Sequence, residues 1–216
     1  MPDARPLVFA VPKGRVLKAL APLLERAGLD PAPLLEDDRR LIREEPNTGV
    51  HFLLLKPDDV PTYVEYGAAD VGIVGRDVLL EREYDLYTPV ELGIGVCRMV
   101  VAGRGDDPPD LDGIRGGAPL RVATKFPTIA RRHFAGRGQQ IDSIFVQGSV
   151  ELAPLTGLAD VIVDLVESGE TLRQNGLVEI ETICDISSVV VANRVGLKLE
   201  AERLGPLLDA LAGAVA

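Results

Sequence analysis

The chain has no tryptophan, two histidines, two cysteines and two methionines in 216 residues. Cys97 and Cys184 lie far apart in the sequence, each in an apolar context, without metal-ligand or redox spacing. A disulfide framework is therefore not expected, and two reduced structural thiols are. His51 and His133 are isolated, so no Ser–His or Cys–His pairing offers itself, and both read as surface or packing residues. No apolar run approaches the roughly 20 residues that cross a bilayer. The N-terminal run from Leu7 to Val11 is brief and soon followed by Pro12 and Lys13, which does not fit a signal peptide and points to the cytoplasm. An excess of positive charge is also missing. A net charge of −10, from 23 basic and 33 acidic residues, argues against nucleic acid as the main partner. A phosphorylated small substrate needs only a local cluster of cations. Basic residues do group at Lys13 with Arg15, at Arg39-Arg40 with Arg43, at Lys125 and at Arg131-Arg132, although each group equally reads as a solvated face.

What the chain does have is the composition of a globular protein, 46% hydrophobic and 26% charged, long enough for one large domain or two small ones. Strand, loop and helix signals alternate. Leu7 to Val11 reads as a strand, followed by the loop Pro12-Lys-Gly-Arg15 and an amphipathic helix from Val16 to Ala27 that Gly28 stops. Val50 to Leu55 is a second strand, Val60 to Tyr66 a helix with Pro61 in its first turn, and Asp70 to Val74 a strand ending in Gly75. Gly95 to Val101 reads as a strand, and Gly103 to Pro119 as a loop rich in Gly, Pro and Asp. The pattern then restarts with the strand Arg121 to Thr124, the loop Lys125-Phe-Pro-Thr and a helix from Ile129 to Phe134. Ser188 to Ala192 is a late apolar strand that could return the chain to its first half, and Ala201 to Ala212 closes as a helix. Such alternation predicts parallel sheets and the α/β class.

The restart has the look of a repeat. Gly67-Ala-Ala-Asp70-Val-Gly-Ile-Val74 matches Gly157-Leu-Ala-Asp160-Val-Ile-Val163, and Lys13 and Lys125 each follow the first strand of their half. Two similar lobes are expected, 1–99 plus 188–216 and 100–187, with loops at the carboxyl ends of the strands lining a shared cleft.

The segment from Ala159 to Leu172 bears most directly on chemistry. Val161-Ile-Val163 fits a strand buried on both faces, with Asp164 at its end. Ser168-Gly-Glu-Thr171 then supply hydroxyls and a glycine ahead of a helix expected from Leu172, an arrangement that presents backbone N–H groups to a phosphate. An ordinary turn, with Ser168 or Thr171 as N-cap, explains the same residues.

Taken together, Pro12 to Arg15, Lys56 to Val64, Gly67 to Asp77, Arg121 to Lys125, Gly148 to Pro154 and Ala159 to Leu172 resemble the ATP phosphoribosyltransferases of histidine biosynthesis, in their short form. The resemblance covers nearly the whole chain. It implies two lobes of the type II periplasmic-binding-protein kind around a cleft. It also implies a glycosyl transfer in which N1 of the adenine of ATP attacks C1 of phosphoribosyl pyrophosphate (PRPP) and releases pyrophosphate, with Mg²⁺ as cofactor. The short form lacks a regulatory domain of its own and works with a partner resembling the histidyl-tRNA synthetase catalytic core, so a homodimer inside a hetero-oligomer is expected. Ser168 replaces the family's common threonine and keeps the hydroxyl. Glu170 places a carboxylate in a phosphate loop, so its side chain must point away.

Charge separates in this reaction, positive on the ribose and negative on pyrophosphate, so catalysis should be electrostatic. Arg15 and Arg39 are the expected catalytic cations on the leaving group; Asp37 and Asp38 beside Arg39 fit equally an exposed charged turn. For PRPP the expected contacts are Lys13, the carboxylates Glu151 and Asp164 on the ribose hydroxyls, and Ser168, Gly169 and Thr171 on the 5-phosphate. For ATP they are Gly14, Asp70, Gly75 and Asp77. The Mg²⁺ ligands are not assigned. Two rival readings remain at this point: a cytoplasmic small-molecule-binding or sensing module on the same two-lobed fold, and an inactive scaffold subunit.

Overall fold

In a computed structural model the described residues are 5–111 and 119–215. Part of the loop expected between Gly103 and Pro119, residues 112–118, lies outside them. The chain runs through β1 (Val8–Pro12), α1 (Arg15–Arg26), α2 (Ala32–Leu35), β2 (Ile42–Glu44), β3 (His51–Leu55), a 3₁₀ turn at Pro57–Asp59, and α3 (Val60–Glu65). Next come β4 (Val71–Gly75), α4 (Arg76–Glu81), β5 (Leu86–Glu91), β6 (Cys97–Arg104), β7 (Leu120–Thr124), α5 (Pro127–Ala135) and β8 (Ile141–Phe145). It ends with α6 (Leu152–Leu155), β9 (Val161–Val166), α7 (Glu170–Gln174), β10 (Leu177–Ile186), β11 (Ser188–Asn193), α8 (Arg194–Leu199) and α9 (Ala201–Val215).

These elements form two compact α/β units. The first comprises Met1–Leu79, Glu83–Gly95 and Ser187–Ala216; the second comprises Leu80–Arg82 and Val96–Ile186. Each has its own sheet, ordered β2-β3-β1-β4-β11-β5 in the first and β10-β6-β9-β7-β8 in the second. Apart from the edge strand β2, the two orders are one pattern. In the first unit β3, β1 and β4 run parallel, β11 pairs antiparallel with β4, and β5 antiparallel with β11. In the second, β8, β7 and β9 run parallel, β6 pairs antiparallel with β9, and β10 with β6. The sheets are thus mixed, which corrects the expectation of parallel sheets: the antiparallel strands β6 and β11 are apolar runs like the others, and direction leaves no mark on composition.

The repeated glycine and aspartate play the same part in both units. Gly67 and Gly157 each turn at φ 73, a left-handed conformation that suits glycine. Asp70, just ahead of β4, donates its N–H to the Val8 carbonyl (2.9 Å), and its carboxylate accepts the Val8 N–H (2.8 Å). Asp160, just ahead of β9, donates to the Arg121 carbonyl (2.9 Å) and accepts the Arg121 N–H (2.9 Å). Each aspartate also holds an arginine, Arg5 at 2.5 Å and Arg121 at 2.7 Å. In each unit an aspartate therefore fixes the register of the two central parallel strands.

Alternation along these strands builds a core on each face of each sheet. Phe9, Val11, Val71 and Ile73 pack with Leu20 and Leu24 of α1 and Leu204 and Leu211 of α9. Ala10 and Val74 face Val60 and Val64 of α3. Gly72 admits no side chain there, since a Cβ would lie 2.7 Å from a Val60 methyl. In the second unit, Val122, Val161 and Val163 pack with Ile129 and Phe134 of α5, and Ala123 and Ile162 with Ala153 of α6 and Leu172 of α7. Cys97 and Cys184 are half-buried at the edge of the first of these two clusters. His51 lies half-buried in β3, and His133 of α5 stands edge-on to Phe134, with Nε2 3.5 Å from a Glu181 oxygen.

Candidate active site

In the second unit three loops leave the carboxyl ends of the parallel strands. Lys125 follows β7, the turn Gly148-Ser149-Val150-Glu151 follows β8, and residues 167–169 follow β9. Asp164 lies within β9, two residues before that strand ends at Val166. This corrects the expectation that Asp164 closes the strand: β6 extends the pairing, with Val100 opposite Asp164 and Arg98 opposite Val166, and a partner so distant in sequence cannot be read from the local run. Burial pushes the Asp164 carboxyl above the usual carboxylate range, and the nearby Glu151 charge pushes the same way. The Leu165 N–H, 2.8 Å from Asp164 Oδ1, and the Lys125 ammonium act against both. Asp164, Glu151 and Lys125, drawn from three loops and strands, therefore share one electrostatic neighbourhood. Ser149 in the turn before Glu151 has φ 50, a left-handed conformation rare outside glycine, and its carbonyl accepts the Leu152 N–H at 3.1 Å. Glu151 itself is the half-buried N-cap of α6, and its side chain makes no capping bond.

After β9 the chain turns through Ser168 and Gly169. Gly169 is the N-cap of α7 and adopts φ 74, ψ 5. The helix begins at Glu170, two residues earlier than the sequence suggests. Neither Ser168 nor Thr171 is the N-cap, although Ser168 Oγ accepts the Glu170 N–H at 3.3 Å. The first helical bond runs from the Arg173 N–H to the Gly169 carbonyl at 3.1 Å, so the Thr171 and Leu172 N–H groups precede the ladder. With five residues α7 has a weak dipole, and any affinity of this turn for anions rests on its amides and hydroxyls. Glu170 turns along its own helix, accepting from Arg173 and from Gln174 at 2.8 Å. Those bonds hold its carboxyl below the usual range.

In the first unit, β1 and β3 run in register, Pro12 beside Leu55, so Lys13 and Lys56 emerge at the same edge. The Lys13 N–H donates to the Leu55 carbonyl at 2.8 Å. β2 is antiparallel to β3, with the Leu54 N–H bonded to the Leu41 carbonyl at 2.8 Å. The residues just before β2, Arg39 among them, therefore lie at that edge too. Arg15 opens α1 after Gly14, whose φ of 100 also favours glycine, and it is exposed. Asp38, a candidate partner for Arg39, is instead taken by Arg40 Nε (2.6 Å) and by Arg43 (2.8 Å). Arg43 is buried and also donates to the Pro33 carbonyl and to that of Glu36 (3.0 Å). The turn is thus braced from within, and Arg39 is exposed with no ion pair among the described residues.

Gly75 and Asp77 stand together where β4 gives way to α4. Asp77 is buried, and a Cβ on Gly75 would come 2.1 Å from its Oδ1. Asp70 is elsewhere. It lies ahead of the amino end of β4, 2% exposed, with its carboxylate held by Val8 and Arg5. It locks the two strands there, its carboxylate already engaged.

Two cations at these edges, Lys56 and Lys125, were not singled out as site residues from sequence. For Lys125 the signal was present in its match to Lys13. Lys56 needed the register of β3.

A family model described as ATP phosphoribosyltransferase matches residues 56–213. The chain is 55% identical over 213 residues to an ATP phosphoribosyltransferase of Sorangium cellulosum, covering 98% of this chain and 97% of that one. It is 50% identical over 212 residues to that of Halorhodospira halophila, covering 98% and 96%. Among solved structures it resembles the ATP phosphoribosyl transferase (HisG:HisZ) complex from Thermotoga maritima, with a TM-score of 0.80 and 35% identity over 97% of this chain and 98% of that one. A repeated α/β unit, cations at one sheet edge and a carboxylate pair beside a glycine turn at the other thus have their counterpart in sequence, and the chain belongs to the ATP phosphoribosyltransferase family.

Proposed function

We propose that this chain is the catalytic subunit of a short-form ATP phosphoribosyltransferase, in which N1 of the adenine of ATP displaces pyrophosphate from C1 of PRPP to give N1-(5-phosphoribosyl)-ATP at the start of histidine biosynthesis. The family match carries the activity and disfavours the sensing and scaffold readings.

The residues divide the work by charge. The turn Ser168-Gly169-Glu170-Thr171 takes the 5-phosphate through amides and hydroxyls. Asp164 and Glu151 accept hydrogen bonds from the ribose hydroxyls, and their charge favours the cation that develops at C1. Lys125, beside them, adds attraction for the phosphorylated sugar. Lys13, Arg15 and Arg39, with Lys56, bind the pyrophosphate and stabilise its growing negative charge as it leaves. Adenine N1 carries a lone pair, so no strong general base is needed, and the histidines keep their packing roles. Gly14, Gly75 and Asp77 are the proposed ATP contacts.

Among the described residues no group of three or more His, Cys, Asp or Glu is placed to cage a metal. Mg²⁺ brought by the phosphorylated substrates would neutralise charge on the leaving group. A cytoplasmic location accords with substrates that are highly charged phosphates, which do not cross membranes unaided. A regulatory partner, supported by the complex to which the fold is similar, and a homodimer within a hetero-oligomer complete the proposal. Incubation with ATP, PRPP and Mg²⁺, with and without that partner, should yield pyrophosphate and a new N1-substituted adenosine chromophore. If neither forms in the presence of the partner, the sensing or scaffold reading takes its place.

A further inference from the structure

α5 begins directly after Lys125 and Phe126, and its N-cap, Phe126, has no acceptor to offer the exposed amides of the first turn. A carboxylate from elsewhere in the chain fills that place. The Thr128 N–H lies 2.9 Å from Glu81 Oε1 and 3.1 Å from Oε2, and the Ile129 N–H lies 3.1 Å from Oε2. Arg132 Nη1 reaches the Leu80 carbonyl at 3.4 Å, fastening the same segment one turn further along. On the other side of Lys125, the Phe126 N–H donates to Thr124 Oγ1 (2.8 Å), and that hydroxyl donates to the Val163 carbonyl (2.6 Å). Thr124 is fully buried. The backbone around Lys125 is therefore held at both ends, by β9 through Thr124 and by Glu81 through α5.

We infer that Glu81 is a positioning residue for PRPP: it fixes the first turn of α5, and with it Lys125 beside Asp164 and Glu151, and its charge keeps that helix terminus from competing for phosphate. The inference rests on the transferase reading above. Helix N-termini attract anions through free amides and the dipole. A carboxylate already seated on them removes the amides and repels a second anion, so phosphate is directed to the turn after β9.

The test compares Glu81→Ala, Glu81→Gln and wild type in complex with the regulatory partner. Glu81→Ala should raise KM for PRPP about tenfold and KM for ATP less than about twofold, with Glu81→Gln, which keeps one acceptor, in between. A role in folding alone would lower the melting temperature and move both substrates together. Calorimetry with ribose 5-phosphate gives a readout independent of turnover: affinity should fall about tenfold in Glu81→Ala and partly recover in Glu81→Gln. If Glu81→Ala binds ribose 5-phosphate as wild type does, or loses PRPP and ATP equally, the inference is overturned. Should Glu81→Ala not fold, the Gln variant decides, by the same selective or unselective change. Wild type releasing no pyrophosphate would instead overturn the transferase reading, and the calorimetric comparison would still decide the role of Glu81.

Discussion

The two units share a scaffold and differ in what their loops offer an anion. Strand order, strand direction and the aspartate lock are common to both. The loop after the first parallel strand is Lys13-Gly14-Arg15 in one unit and Lys125-Phe126-Pro127 in the other. The first leads into a helix with no acid in its first turn, the second into a helix capped by Glu81. The loop after the third parallel strand differs in the opposite sense. In the first unit it is Gly75-Arg76-Asp77, with a buried carboxylate packed over the glycine; in the second it is a left-handed glycine flanked by hydroxyls. The frame is common to both units, and the side chains at the strand ends are what differs.

Substitutions that act on one loop should separate the units. Gly169→Val carries the largest expected effect. A Cβ there meets nothing closer than 3.4 Å, so the obstacle is the backbone, since φ 74 excludes a β-branched residue. PRPP affinity in calorimetry should fall roughly a hundredfold, as phosphate approach is lost with the turn; unaltered affinity would remove the turn from the PRPP site. Arg39→Ala should lower kcat by an amount worth about 2–4 kcal/mol, the usual cost of one lost charge-stabilising contact in a transition state. A rise in KM alone would contradict the leaving-group role.

Substitutions in the shared frame should act alike in the two units. Asp70→Asn and Asp160→Asn are both expected to cost stability in denaturant melts while leaving KM values near wild type. The first should cost about 3 kcal/mol, because its ion pair has a buried carboxylate, and the second about 1 kcal/mol, because Asp160 and Arg121 are both partly exposed. A large KM change in Asp70→Asn alone would break the equivalence and return Asp70 to the ATP site.

The smallest effect is one of pH. The raised pKa of Asp164 means that its carboxyl takes up a proton at higher pH than an ordinary aspartate. If the ionised form binds the ribose hydroxyls, PRPP affinity should weaken as pH falls through that raised value, and the Asp164→Asn variant should lose this part of the dependence. The sign for stability is opposite. A raised carboxyl pKa favours the folded state at low pH, and that contribution fades as pH rises past the unfolded value. A PRPP pH profile identical in wild type and Asp164→Asn would exclude the carboxylate from binding.

Much of this was legible in sequence because it is local. The β-branched runs, the helix stop at Gly28, Pro61 in the first turn of α3 and the paired Gly-x-x-Asp segments all declare themselves within a few residues. What was not legible depends on partners far along the chain. The antiparallel β6 lengthens β9 past Asp164, and β2, three residues long, brings Arg39 to the edge shared by Lys13 and Lys56. Glu81 caps a helix 47 residues away. The structural part of Asp70 was hidden for a related reason: it stands in a motif rich in glycine, yet precedes its strand, and only the bonds to Val8 and Arg5 reveal it as a lock.

The central claim is a division of labour, with the phosphoribosyl group held by the second unit and pyrophosphate by the first. Calorimetric titration of the Gly169→Val and Arg39→Ala variants with ribose 5-phosphate and, separately, with pyrophosphate addresses it most directly. Gly169→Val should lose affinity for ribose 5-phosphate and keep it for pyrophosphate, and Arg39→Ala should do the reverse. Equal weakening of both ligands by either substitution would contradict the account.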